Sequence, residues 1–280
     1  MTDYARPDDL AVALRLLADG SRLVLAGGTD VYPARAGQGL RGPVLDLTSV
    51  SELKGIDRTR RGLRIGACAT WAEIAAANLP PALNALQQAA LEVGGRQIQN
   101  AGTIGGNLCN ASPAADGVPP LLVLGATVEL ASAQGVRHVA LADFITGPRR
   151  TILRPDEIVV AVLLPRAALT GRSAFLKLGA RKYLVISIAS VAVRLLEREG
   201  LVADVAVAVG ACGAVPRRLP DVEAALIGAA LPEAAGRITD GAVAAGLAPL
   251  DDIRASAAYR NAAAAELIRR TVAGLTGGPV

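Results

Sequence analysis

The stretch that decides the fold reads AGTIGGNL at residues 101–108, and ASPAAD follows at residues 111–116. It combines clustered glycines with hydroxyl, amide and carboxylate groups. Glycine lets backbone N–H groups approach a ligand closely, and clustered N–H groups suit a pyrophosphate. Asp116 can accept hydrogen bonds from ribose hydroxyls. An ordinary long surface loop is the open alternative, although long loops in compact domains are usually functional. We therefore predict a glycine-rich ligand-binding loop within residues 94–116.

A second glycine pair lies earlier in the chain, where AGGTD at residues 26–30 directly follows a short apolar run at residues 23–25. A strand followed by Gly-Gly can present amide groups to a phosphate. The segment is not GxGxxG, so the dinucleotide-binding signature of a Rossmann fold is missing and a nicotinamide-dependent Rossmann enzyme is disfavoured. An ordinary tight turn remains the alternative at this position.

Composition narrows the class of protein. The 280 residues are 52% hydrophobic and 19% charged, which indicates a globular chain of one large or two modest domains. The net charge of +4 permits nucleic-acid binding, but the basic residues are scattered and aromatics make up only 2%, so we predict no nucleic-acid role. The three cysteines stand far apart without CxxC spacing, and no apolar run reaches membrane-span length. These features predict no metal site, no membrane span and a cytoplasmic location.

Apolar periodicity and turn residues predict the element order. Strands are expected at residues 23–25, 44–47, 62–68, 127–130, 136–141, 158–164, 174–178, 187–196 and 202–211. Helices are expected at residues 9–18 with Asp8 as cap, from a capping box at Thr70 and Glu73, and at residues 80–94, 119–124, 221–227, 232–245 and 255–275. Strands followed by helices in the last part indicate an antiparallel α+β unit.

Taken together, residues 26–30 and 103–116 resemble the paired flavin loops of the FAD-binding subunit family of molybdenum hydroxylases. That family includes the medium subunits of aerobic carbon monoxide dehydrogenase and the flavin domain of xanthine dehydrogenase. The similarity covers nearly the whole chain and includes RPDEI at residues 154–158 and AFLKLG at residues 174–179.

The resemblance implies an α+β fold. An FAD-binding domain of the p-cresol methylhydroxylase or vanillyl-alcohol oxidase type would occupy residues 1–168, in subdomains of about residues 1–56 and 57–168. A C-terminal α+β domain with an antiparallel sheet and helices would occupy residues 169–280.

The resemblance also implies a non-covalent FAD site. The two loops would bind the diphosphate and flank the flavin, Asp116 would hold the ribose or ribityl chain, Val159 would make an apolar contact, and Lys177 would approach the flavin. The implied cofactor-binding residues are Ala26, Gly27, Gly28, Thr29, Asp30, Thr103, Ile104, Gly105, Gly106, Asn107, Asp116, Val159 and Lys177. No catalytic residue is implied, and the single histidine, His138, lies outside both loops.

The implied function is electron transfer within a complex. A large molybdopterin subunit would transform the organic substrate, and a small subunit with [2Fe–2S] clusters would relay electrons to the FAD of this chain. The FAD would pass them to an external acceptor, in a dimer of heterotrimers. A stand-alone flavin oxidoreductase of the same fold and a non-catalytic scaffold that has lost FAD remain the alternatives.

Overall fold

The computed structural model describes residues 3–277, so the ends of the predicted domain ranges, residues 1–2 and 278–280, lie outside it. The strands are β1 (Tyr4–Ala5), β2 (Leu23–Leu25), β3 (Val44–Asp46), β4 (Ile56–Thr59), β5 (Gly62–Gly66), β6 (Thr127–Ser132), β7 (Gly135–Ala140), β8 (Ile145–Gly147), β9 (Arg150–Thr151), β10 (Ile158–Pro165), β11 (Arg172–Leu178), β12 (Ala189–Arg198), β13 (Leu201–Gly210) and β14 (Arg217–Arg218). The α-helices are α1 (Leu10–Ala18), α2 (Trp71–Ala76), α3 (Asn84–Glu92), α4 (Arg96–Ala101), α5 (Ile104–Asn110), α6 (Val118–Val123), α7 (Leu141–Phe144), α8 (Pro220–Leu226), α9 (Asp240–Ala245) and α10 (Ala257–Thr276).

The first layer is a small parallel sheet in the order β1-β3-β2, with α1 packed against it. Helix α1 begins at Leu10, one residue later than predicted, and Asp9 rather than Asp8 is its N-cap. Asp9 has extended backbone angles, and its carboxylate accepts a hydrogen bond from the Val12 amide at 3.0 Å. A capping side chain bonds the N–H group two or three positions further along the chain. Asp9 therefore reaches the Val12 amide, whereas Asp8 lies one residue too far back. The sheet ends at Leu25, which places residues 26–30 at its edge.

The second sheet has the order β4-β5-β10-β6-β7 and is antiparallel throughout. One face packs on the largest hydrophobic core, to which Trp71, Leu86, Ile104 and Phe144 each contribute a fully buried side chain. Helix α2 starts at the predicted capping box, with Thr70 and Glu73 bonded reciprocally. This core supports the central segment of the chain from beneath.

Residues 94–116 differ from the predicted loop, because α4 and α5 lie within them. Thr103 has extended backbone angles and its hydroxyl accepts a hydrogen bond from Gly106, so it is the N-cap of α5. Gly105 packs so closely on Ala67 that a Cβ there would lie 2.7 Å from the Ala67 Cβ. Glycine disfavours helix in an isolated peptide, and here the cap and the close packing outweigh that preference.

The C-terminal part contains an antiparallel sheet in the order β11-β12-β13-β14, covered by the long helix α10. Its strands confirm the predicted antiparallel pattern. The single helix predicted over residues 232–245 is instead a 3-10 helix, Leu231–Arg237, followed by α9. Thr239 separates them by capping α9 through its hydroxyl.

The N-terminal and C-terminal parts contact each other along α3 and α6. Helix α3 lies against the outer edge of β11, and α6 lies against β12 and β13. The Ala85 amide donates to the Ser173 hydroxyl at 2.9 Å, and the Phe175 amide donates to Gln88 Oε1 at 2.7 Å. These bonds fix the start of the C-terminal sheet beside the glycine-rich segments.

Candidate functional site

Residues 26–30 form a tight loop directly after β2. Gly28 has a φ of +69°, in the left-handed region that favours glycine. A Cβ on Gly27 would lie 1.8 Å from the carbonyl oxygen of Ala101, so only glycine lets this loop approach α4 so closely. Within residues 3–277, the amides of residues 27–30 donate to no protein group. The loop therefore carries a row of unused hydrogen-bond donors.

The N-terminus of α5 is the counterpart of this loop, but its donors are already used. The amides of Ile104 and Gly105 donate to the carbonyls of Ala69 and Ala67, at 3.0 and 2.8 Å. The amides of Gly106 and Asn107 donate to the hydroxyl and carbonyl of Thr103, at 3.1 and 3.0 Å. The prediction that backbone donors of this segment are free for a phosphate is therefore wrong for these four amides. What the segment presents instead is side chains and a close-packed backbone.

Arg149 connects the two segments at their open side. It lies between β8 and β9 with a φ of +59°, and its amide donates to the Ala111 carbonyl at 2.9 Å. Its guanidinium donates to the side-chain oxygen of Asn110 and lies 4.0 Å from the carboxylate of Asp30. The sequence offered no signal for Arg149 beyond an Arg-Arg pair, and its position depends on the hairpin that the fold builds.

A cavity of about 550 Å³ lies between these segments. All of the predicted cofactor-binding residues line it except Ile104, whose side chain is in the core beneath, and Lys177. Lining residues that the sequence did not predict as contacts include Val24, Leu47, Trp71, Ile98, Cys109, Arg149, Glu157, Val185 and Ile186. The volume is in the range typical of small-molecule sites, and the wall combines apolar side chains with a few polar groups.

The cavity wall fits FAD on two observations. The unused amides of residues 27–30 suit a diphosphate. Asn107 Oδ1 is buried without a hydrogen-bond partner among the residues described, and a buried acceptor of this kind calls for a donor. A nucleotide with hydroxyl and N–H groups supplies such donors, and the apolar wall accommodates rings.

Asp116 is the anchor of the wall opposite the first loop. Its carboxylate accepts hydrogen bonds from the Lys177 ammonium at 2.7 Å and from the Ser187 hydroxyl at 2.5 Å. Burial raises the pKa of Asp116, and the charge of Lys177 opposes that rise. The Lys177 ammonium also donates to the carbonyls of Glu92 and Val185, at 3.3 and 3.1 Å. Lys177 thus lies behind Asp116 and not in the cavity wall, contrary to the approach predicted for it.

Glu157 and Val159 form a further part of the wall at the start of β10. Val159 lies beside a register shift between β10 and β6, and it lines the cavity while it also belongs to the hydrophobic core. Glu157 is buried and pairs with Arg137 through two contacts of 2.6 and 2.7 Å. The hydrogen bond from Arg137 holds the pKa of Glu157 below its ordinary value. This ion pair fixes the strand end that carries Val159.

Cys109 and Trp71 face the cavity as well. Cys109 is exposed at the cavity, and the protein atoms around its thiol raise the pKa of that group. Trp71 is buried, and a Cβ on Gly117 would lie 2.3 Å from its ring. Trp71 is thus a packing residue whose edge reaches the cavity.

Across residues 3–277, no group of three or more His, Cys, Asp or Glu side chains is arranged to hold a metal ion. Within the same range, no helix combines the length and apolar character needed to cross a membrane.

Two family models match the chain. The model for the FAD binding domain in molybdopterin dehydrogenase matches residues 1–167, and that for the CO dehydrogenase flavoprotein C-terminal domain matches residues 174–275.

The chain is also similar to individual proteins of the same kind. The chain is 37% identical to the nicotinate dehydrogenase FAD-subunit of Eubacterium barkeri over 242 residues, covering 82% of this chain and 80% of that one. It is 32% identical to the carbon monoxide dehydrogenase medium chain of Afipia carboxidovorans over 279 residues, covering 96% and 95%. The crystal structure of the cyanide-inactivated Cu,Mo-CO dehydrogenase superposes with a TM-score of 0.91 at 28% identity, covering 99% of this chain and 98% of that one. These likenesses confirm the predicted fold.

Proposed function

This chain belongs to the family of FAD-binding medium subunits of molybdenum hydroxylase-type dehydrogenases, and from that membership we propose that it passes electrons from a partner's [2Fe–2S] clusters to an external acceptor. The observation that carries the proposal is the cavity between residues 26–30 and α5, with its unused amide donors and its orphaned Asn107 oxygen. When bound there, FAD supplies the redox chemistry that links the clusters to the acceptor.

The two glycine-rich segments have different proposed roles. The amides of residues 27–30 would hold the diphosphate, because these four amides donate to no protein group within residues 3–277. Residues 103–107 would provide the close-packed wall and the Asn107 side chain. Asp116 would accept hydrogen bonds from ribose or ribityl hydroxyls, since each carboxylate oxygen retains acceptor capacity beyond its bond to Lys177 or Ser187.

The remaining residues of the site position these groups. Val159 would contact an apolar part of the cofactor, Lys177 would orient the Asp116 carboxylate, and Ile104 would support α5 from the core. The proposed contacts need no acid, base or nucleophile from this chain, because proton transfer to substrate would take place in another subunit. We also propose that the chain divides into an FAD-binding domain at residues 1–168 and a C-terminal domain at residues 169–280.

The proposed partners are a large molybdopterin subunit and a small subunit with [2Fe–2S] clusters, in a dimer of heterotrimers in the cytoplasm. Support comes from relatives that bear the names FAD-subunit and medium chain, terms that describe one part of a larger assembly. The organic substrate would be chosen by the large subunit.

The test of cofactor binding is the visible spectrum of the purified chain after incubation with FAD and desalting. Oxidised-flavin bands that are released by acid precipitation support non-covalent FAD. The variant Gly106→Trp places an indole beside the Thr103 hydroxyl at the cavity and should lose the flavin bands with an unchanged far-UV spectrum. Flavin retained by Gly106→Trp at the wild-type level would contradict the proposed site.

Electron transfer is tested separately by anaerobic reduction. In the co-purified complex, the flavin should bleach when the substrate of the large subunit is added, whereas the isolated flavin-loaded chain should not react with that substrate. Turnover by the isolated chain would favour a stand-alone flavin oxidoreductase, and a complex without flavin would favour a scaffold.

A further inference from the structure

A second cavity of about 700 Å³ lies on the outer side of the C-terminal sheet, and we name it the edge groove. One wall is the last part of α3, and the other is the end of β11 with the turn that follows. Its lining residues are Gln88, Leu91, Glu92, Phe175, Leu176, Lys177, Leu178, Gly179, Arg181 and Lys182. The FAD cavity and the edge groove share Glu92 in their walls.

The backbone of β11 is unpaired on the side that faces the edge groove. Among residues 3–277, β11 is an edge strand that pairs with β12 alone. The Phe175 amide points away from β12, since it donates to Gln88. Alternate residues of a strand face the same side, so the N–H and C=O of Lys177 also point outward. In the part of the chain that the structure describes, neither has a hydrogen-bond partner.

Helix α3 runs beside this edge as far as Lys177, whose ammonium donates to the Glu92 carbonyl, but within residues 3–277 it bonds the β11 backbone only at Phe175. The bonds from Ala85 to Ser173 and from Phe175 to Gln88 cap the first part of β11. Beyond them the helix ends at Glu92 and the groove opens. An open strand edge is a template for pairing with another extended chain.

The side chains of the groove indicate what such a chain carries. Leu91 and Leu176 are 62% and 36% exposed, which gives the groove an apolar surface. Arg181 and Lys182 lie at its end, and neither forms an ion pair within residues 3–277. Among the lining residues that the structure describes, Arg181 and Lys182 outnumber the one carboxylate, Glu92. A segment that alternates apolar and acidic residues therefore matches this surface in both charge and period.

We propose that the edge groove binds an extended, acidic segment of a partner protein by strand addition to β11 at Lys177. The Lys177 side chain reaches the wall of the FAD cavity through Asp116, so the segment docks directly behind that wall. This inference goes beyond the proposed electron-transfer function and does not require that FAD be bound.

The test uses the full chain, pre-incubated with FAD, and a fluorescein-labelled blocked peptide of sequence Val-Asp-Val-Glu-Val-Asp-Val. Fluorescence anisotropy should show saturable binding with a Kd between about 10 µM and 1 mM. Hydrogen exchange should show protection of the Lys177 amide by the peptide. The double variant Arg181→Glu/Lys182→Glu should weaken binding at least about tenfold, equivalent to about 1.4 kcal/mol.

Controls separate strand addition from other causes. Arg198→Glu reverses an exposed charge at the far end of β12 and should leave binding unchanged. Since Arg181 also donates to the Leu184 carbonyl, Lys182→Glu alone and Leu176→Asp provide variants that keep that bond and should still weaken binding. A peptide with alternate N-methylated amides should not bind.

Three results would overturn the proposal: no saturable binding up to about 1 mM, equal binding of the N-methylated peptide, or equal weakening by Arg198→Glu. Flavin absorbance is recorded in each sample. A chain that binds the peptide but holds no flavin keeps the edge groove and contradicts the FAD site, whereas the reverse result contradicts only the groove.

Discussion

The loop at residues 26–30 and the N-terminus of α5 have similar sequences, AGGTD and TIGGN, yet they use glycine for different purposes. In the first, glycine permits a left-handed turn and a backbone contact with Ala101, and the amides of residues 27–30 stay unused. In the second, glycine permits close packing on Ala67, and the amides of residues 104–107 bond within the protein. A glycine pair therefore indicates that another group packs closely against the backbone. Whether that group is a ligand or the protein itself depends on whether the N–H groups of the pair already have protein partners.

The largest effect is expected at Asp116, the last residue of the second glycine-rich segment, residues 103–116. Lys177→Met would leave the buried carboxylate without its cation, and we expect a loss of about 3–5 kcal/mol in the free energy of unfolding. Chemical denaturation measures it. Asp116→Asn/Lys177→Met removes both charges and should recover much of the stability. A double variant as unstable as Lys177→Met would show that the pair is not the cause.

Next in size is the backbone contact of the first loop. Gly27→Ala forces a Cβ against the Ala101 carbonyl, and we expect destabilisation of about 1–3 kcal/mol together with loss of flavin. The matched control is Gly106→Ala, whose Cβ meets only the Thr103 hydroxyl, at 3.0 Å. Within a helix that change is neutral or stabilises by up to about 1 kcal/mol. Equal melting temperatures for the two variants would remove the distinction between the segments.

A smaller effect is expected at the cap of α5. Thr103→Ala removes the acceptor of the Gly106 amide, at a cost of about 1 kcal/mol. Thr103→Ser keeps the hydroxyl and should restore the melting temperature. If serine fails to restore it, the contribution of Thr103 comes from its methyl group and not from its cap.

The smallest expected effect on stability is at Glu157, which lines the cavity outside both glycine-rich segments. Its folded pKa is lowered from 4.5, first by the hydrogen bond from Arg137. A lowered carboxyl pKa gives stability that is present above the unfolded pKa and is lost as pH falls through the folded value. Melting curves from pH 7 down to pH 3 should therefore show the advantage of wild type over Glu157→Gln shrinking below about pH 4.5. A constant difference across that range would contradict this assignment.

Much of the fold could be read from the sequence because its signals are local. The capping box at Thr70 and Glu73 starts α2 as predicted. The strands predicted at residues 187–196 and 202–211, joined at Glu199-Gly200, form the β12–β13 pair. Such patterns depend on neighbours within a few residues. The resemblance to a known family added the pairing of the two glycine-rich segments across the chain.

The predictions were wrong at positions whose structure depends on contacts with residues far away in the sequence. Helix α5 was missed because glycine has a low helix propensity, and the packing of Gly105 on Ala67 cannot be read from residues 101–108 alone. Helix α4 was missed because it has only six residues and lies between Gly95 and Gly102. Lys177 lies behind Asp116 because β11 meets α3 at its edge. Arg149 reaches Asn110 only through the β8–β9 turn.

The contact between Lys177 and Asp116 also bears on how such proteins can be recombined. The carboxylate comes from one matched family region, and the ammonium and the Ser187 hydroxyl come from the other. If the C-terminal half were exchanged for that of a distant relative, the buried Asp116 carboxylate would lose its cation unless the new half also supplied the ammonium and the hydroxyl. A chimera designed from this scaffold should therefore carry residues 116, 177 and 187 as a single inherited set.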